Sequence, residues 1–205
     1  MSLVAKAGGS NFEPVSEGIH MAVCVGVIDL GEQYSKMYDN TQHRVLLSFE
    51  VQDESTNIDG EEKNRLISKE YTVSLGDKAT LRKDLEAWRG KKFTDEELQG
   101  FDLKKILGKP CQVQVLHTDK QGKKYANISS IVSVPKGMQT QKPQTELTCF
   151  DFDDTDFEEK LSKLPEWVRA KITDSTTYKA MTKQQAESFD EYDQVEEKLP
   201  WEQNA

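Results

Sequence analysis

The spacing of apolar residues changes period twice along this chain, and that change limits the folds open to it. Met21, Val23, Val25 and Val27 alternate along residues 20–30, and Val45, Leu47, Phe49 and Val51 along 43–51. Ile67, Tyr71, Val73 and Leu75 keep one phase along 66–75. A period of two belongs to half-buried strands, and β-branched residues suit them. Leu81, Leu85 and Trp88 then recur at helical spacing between Asp77 and Arg89. This predicts a helix capped by Asp77, stopped by Gly90 and packed through its Leu85 and Trp88 face. A short helical piece follows at 103–107, closed by Gly108. Period two returns at 110–117, through Cys111, Val113 and Val115, and at 124–134 after a turn containing Gln121-Gly122.

Strand, strand, strand, helix, strand, strand is the element order of the OB-fold, a small Greek-key barrel. The expected class is therefore mainly β: a five-stranded OB-like barrel with a helix between strands 3 and 4, followed by a largely disordered acidic extension with short helices. Residues 1–18 read as an N-terminal arm and 19–137 as the barrel. The Gln, Thr, Lys and Pro-rich stretch 138–156 reads as a linker, and 157–186 as short amphipathic helices sharing Leu161, Leu164, Val168 and Ile172 on one face. Pro165 suits a first helical turn and Ser175 a second N-cap. Residues 187–205 form an acidic tail.

The chain's net charge of −9 is unevenly spread. Residues 1–137 carry 19 Lys/Arg against 20 Asp/Glu, whereas 138–205 carry 8 against 16. The acidity therefore describes the extension and leaves the front nearly neutral. No run of about 18 apolar residues marks a membrane span, and the first ten residues lack the apolar core of a signal peptide, so a cytoplasmic location is expected. Cys24, Cys111 and Cys149 match no zinc spacing and read as reduced thiols. His20, His43 and His117 are scattered over strands, and no nucleophile, phosphate-loop or calcium-loop pattern stands out. The expectation is a non-enzyme with no catalytic residues, no cofactor and no metal.

An OB-fold binds through its second and third strands and the loops joining strands 1–2 and 4–5. Here the first loop supplies Tyr34, Lys36 and Tyr38, and the second Lys120, Lys123, Lys124 and Tyr125. Arg44 and Lys69 lie on the strands between. Tyr71 reads either as a core residue or as a further ring of this set. Cations that track phosphates, interleaved with rings that stack bases, are what a flexible single strand needs.

This combination resembles phage-encoded single-stranded DNA-binding proteins. The likeness rests on the barrel pattern over about 15–135 and on the tail, where Asp190, Glu191, Asp193, Glu196 and Glu197 precede Leu199-Pro200-Trp201. The segment from Lys163-Leu164-Pro165-Glu166-Trp167-Val168 through Tyr178 is also similar to a stretch in such phage proteins. In this sequence Lys198 interrupts the acidic run, and Glu202 to Ala205 follow the tip. The resemblance implies single-stranded DNA as ligand, without strong sequence preference, in replication, recombination or repair. It also implies docking of Leu199, Pro200 and Trp201 on replication or recombination partners in the host cytoplasm, with homo-oligomers possible in the family. Two alternatives stay open at this level: a protein-interaction scaffold that binds no nucleic acid, and a ring-forming annealing protein. A polyanion tethered near a basic groove is also expected to compete with DNA for it.

Overall fold

The computed structural model describes residues 13–36, 39–58, 60–138 and 140–184. Most of the N-terminal arm, Tyr38, and the acidic tail with Leu199, Pro200 and Trp201 lie outside the described residues. The fold is mainly β, with a few helices. Strands β1 (Gly18–Ser35), β2 (Asn40–Ile58) and β3 (Glu61–Thr72) are followed by helices α1 (Thr80–Arg89) and α2 (Asp95–Gln99) and a 3-10 turn at Leu103–Ile106. Strands β4 (Pro110–Lys120), β5 (Lys123–Val132) and β6 (Thr148–Phe150) come next, then α3 (Phe157–Lys163), α4 (Glu166–Asp174) and further helix at 176–184. The sheet order is β3-β2-β1-β4-β5, antiparallel throughout, while β6 joins β1 in parallel.

The strands run past the alternating segments that mark them. Residues 31–35 and 40–42, which read as loop, continue the β1–β2 ladder with Tyr34 opposite Thr41 and Ser35 opposite Asn40. A ladder beyond the core wets both faces, so its side chains are polar and no alternation marks it. Residues 148–150, inside the stretch that reads as linker, form β6.

One core lies inside the sheet, where Val45, Leu47, Phe49 and Val51 of β2 meet Ile67 and Tyr71 of β3, Val113 and Val115 of β4, and Leu81, Leu85 and Trp88 of α1. The Trp88 ring sits 5.7 Å from Phe49, and its Nε1 donates to the Pro110 carbonyl at 2.7 Å. Ala79, not Asp77, occupies the N-cap of α1; Asp77 instead pairs with Arg82 at 2.6 Å. Gly90 ends the helix at φ 65°, the left-handed region that a side chain disfavours. In β1 the inward residues are Ala22, Cys24 and Val27, not the 21–27 odd series. A β-bulge between Cys24 and Gly26 shifts the phase by one residue, and Val23 and Val25 are buried outside this cluster.

A second core covers the other side of β1 and β2. Ile28, Leu30 and Leu46 are roofed by Phe150, Phe157, Leu161, Leu164, Val168 and Ile172. Gly31, at φ 69°, lets this roof close: a Cβ there would lie 2.9 Å from Ser175 Oγ and 3.0 Å from the Phe152 ring. Ser175 ends α4, and its Oγ accepts from Tyr178 N at 3.0 Å. Thr176 and Thr177 then bond the Glu32 carbonyl and amide at 3.1 and 2.9 Å, occupying the free edge of β1.

Between the cores the chain crosses β2. Gln141 and Gln52 exchange two hydrogen bonds, and the fully buried Glu50 carboxylate accepts from Thr145 N at 2.6 Å, Gln144 N at 3.0 Å and Asn64 Nδ2 at 2.9 Å. Burial opposes ionisation of Glu50, but the bonds from Thr145, Asn64 and Gln144 outweigh it and hold its pKa below the ordinary value. A carboxyl depressed in the folded state stabilises above its unfolded pKa, and that contribution fades as pH falls through the folded value. Glu50→Gln is therefore expected to lower stability by about 1–3 kcal/mol at neutral pH. In urea unfolding the gap from the parent protein should shrink as the pH drops below about 4. A gap that does not change with pH would show that the Glu50 charge is not what holds the crossing segment.

Candidate nucleic-acid interface

The register of β2 and β3 decides what each strand offers. Even-numbered residues face outward: Arg44, Leu46, Ser48 and Glu50 on β2 lie opposite Thr72, Glu70, Ser68 and Leu66 on β3. Ser48 and Ser68 touch through their hydroxyls at 2.9 Å. Most of this face is covered. Leu46 lies in the second core, and Glu50 holds residues 144–145. Glu70 receives Arg44 Nε at 3.0 Å and Lys171 from α4. Burial works against ionisation of Glu70, but Lys171 and Arg44 together bring its pKa below the ordinary value. Arg44 also donates to Thr72 Oγ1 at 2.8 Å, so its charge is engaged within the protein.

Lys69 and Tyr71 share the parity of Ile67 and turn inward. Both donate to Asp84 Oδ2 of α1 at 2.7 Å, and the Lys69 ammonium lies 5.1 Å from the Tyr71 ring centroid. Tyr71 is only 3% exposed. Burial first, then the Asp84 charge, pushes its pKa up, so it remains a protonated donor. Tyr71 is thus a core residue, and Lys69 neutralises the helix carboxylate beneath the sheet. Arg44 and Tyr71 line a cavity with Ser74 and residues 76–81, apart from the β4–β5 turn.

The remaining candidates lie at strand ends. Tyr34 is exposed on the β1–β2 hairpin and donates to Asp39 at 2.6 Å; Lys36 beside it is exposed. Lys120, Lys123 and Lys124 are exposed at the β4–β5 turn, where Gln121 and Gly122 take φ of 55° and 76°.

Two of these residues enter a groove. Lys124 and Tyr125 of β5, Leu66 and Ser68 of β3, Ser48 of β2, and Pro165 and Trp167 at the start of α4 line a space of ~530 Å³. Tyr125 is 48% and Trp167 51% exposed, so two aromatic rings border one mainly apolar groove that Lys124 and Arg65 also line. Trp167 is the residue that the candidate set omits. Its signal is present in the sequence: Val168 and Ile172 share the buried face of α4, and Trp167 is out of phase with them. A large ring off the buried face of a helix is exposed unless something else covers it.

The cysteines offer no reactive thiolate. Burial raises all three, Cys24 to about 12, with Cys111 also pushed up. Among the described residues, no group of three or more His, Cys, Asp or Glu is arranged to hold a metal ion, and no helix is long and apolar enough to cross a membrane. No protein-family model matches this sequence, and no curated protein sequence matches it.

Proposed function

We propose that this protein binds single-stranded DNA, without strong sequence preference and without catalysing a reaction, and that its acidic tail recruits replication or recombination proteins. The observation that carries this reading is the groove in which Tyr125 and Trp167 stand exposed beside Lys124. Exposed rings stack any base, and flanking lysines follow the phosphates. Lys120, Lys123 and Lys124 form no ion pair among the described residues, so their charge is free for a ligand. The arrangement of strands supports an OB-type Greek-key barrel: β1 pairs with both β2 and β4, α1 falls between β3 and β4, and β3 approaches β5. In this barrel the C-terminal segment covers most of the outer β2–β3 face. The strand would run along the edge left between β3, β5 and α4.

Titrating tryptophan fluorescence with poly-dT tests the proposal. Trp167 is expected to be quenched on binding, and three phosphate contacts would make log affinity fall with log salt at a slope of about −2. Absence of salt-sensitive quenching, together with no shift in a gel assay, would exclude DNA binding and leave a protein-interaction module.

A further inference from the structure

The described part of the chain begins at Glu13, and its first residues are pinned beside the groove of Tyr125 and Trp167. The Glu13 carbonyl accepts from Arg65 Nη1 of β3. The Val15 carbonyl accepts from His117 Nε2 of β4 at 2.7 Å, and Ser16 N donates to Glu54 of β2 at 3.1 Å. Val15 is buried, and Pro14 and Val15 both line the groove. Strand β3 pairs with β2 alone and β5 with β4 alone, so the groove borders two free strand edges. Its lining is mainly apolar, from Leu66, Ala126 and Pro165 to the two half-exposed rings. A free strand edge beside an apolar groove suits a short extended peptide.

The residues just before Glu13 supply one. Phe12 is the only aromatic residue of the first eighteen, and Lys6 carries the only charged side chain of residues 1–12. Residues 7–12 can therefore enter an apolar groove without stripping water from a charge. Only two residue steps, about 7 Å of chain, separate Phe12 from Pro14 at the groove wall. We propose that residues 7–12 dock in this groove of their own molecule, with the Phe12 ring between Tyr125 and Trp167. The hydrogen bonds at Glu13, Val15 and Ser16 hold the root of the segment, so its local concentration at the groove is at least millimolar and a weak contact keeps it docked. Arg65 and Leu66 also line a pocket of ~660 Å³ with Ile58 on the β2–β3 hairpin, but neither Pro14 nor Val15 lines that one. The docked segment would occupy the place given above to DNA, so a strand must displace it. That competition rests on the DNA-binding reading; the docking itself does not.

Hydrogen–deuterium exchange on the full chain, without DNA, tests the docking. Phe12→Ala changes no described residue and is expected to speed exchange in peptides spanning 64–69 and 124–128 by about tenfold, the occupancy expected when millimolar local concentration meets a site of about 0.1 mM affinity. Trp167→Ala removes the facing ring and should speed exchange in residues 7–12 themselves. Unchanged exchange over both strand peptides in Phe12→Ala overturns the proposal. So does acceleration confined to 56–63, which would place the ring in the hairpin pocket. Protection that grows with protein concentration also overturns it, since the segment would then sit on a second copy. The competition is read separately, from oligo-dT affinity. Phe12→Ala should bind up to about tenfold more tightly, because a segment docked in nine-tenths of the molecules no longer blocks the groove. Weaker binding would overturn the competition, since the ring would then be a DNA contact. If neither protein binds oligo-dT while Phe12→Ala still speeds exchange, the DNA-binding reading falls and the docking stands.

Discussion

Replacing both Tyr125 and Trp167 by Ala is expected to weaken oligo-dT binding about 100-fold, measured by anisotropy of a labelled oligonucleotide at low salt. Stacking one base on a ring contributes about 1–3 kcal/mol, so each single substitution should cost about tenfold. Both rings are half exposed, and neither belongs to a buried cluster, so the fold should survive. Tyr71→Phe serves as the contrast. It removes a hydroxyl that donates to Asp84 inside the core and should change stability while leaving affinity alone. Wild-type affinity in the double Ala variant would show that the groove is not the interface. Loss of affinity on Tyr34→Ala instead would move the site to the β1–β2 hairpin.

Phe150→Ala should have the largest effect on the fold. Phe150 is 2% exposed, pairs with Ile28 through β6, and packs 5.1 Å from the Phe157 ring and 5.9 Å from Phe152. Large-to-small changes at such a site typically cost about 3–5 kcal/mol, because transfer energy is lost and a cavity remains. The second core holds α3 and α4 to the sheet, so the variant should also be cut sooner by protease within 141–165. Undocking α4 would carry Trp167 away from Tyr125, so oligonucleotide affinity should fall at least as far as in Trp167→Ala. A loss of under about 1 kcal/mol would mean that the C-terminal segment is not integral to the fold.

Parts of this arrangement were readable from residue spacing, and the exceptions have definite causes. The Leu81, Leu85 and Trp88 spacing marks α1 and its buried face, since helical periodicity is a local property. The odd series 21–25 misses the inward face of β1, where Ala22 and Cys24 enter the core, and only the bulge after Cys24 brings Val27 into it. Lys69 shares the parity of Ile67 and Tyr71, which signals an inward position. What the spacing does not contain is Asp84, the carboxylate from α1 that makes a lysine tolerable there. Strand β6, only three residues long, is too short to show a period.

Local periodicity thus determined the order of strands and helices, the apolar faces of β2, β3 and α1, and the separation of an acidic tail from a nearly neutral front. Only the tertiary structure decided which side of the sheet is open. Glu70 meets Lys171 across 101 positions of chain, and Glu50 meets Thr145 across 95. Whether Arg44 faces a ligand or an internal carboxylate depends on those long-range contacts. A pattern of neighbours in sequence reports which faces are apolar, but it does not report what a segment a hundred residues later will cover.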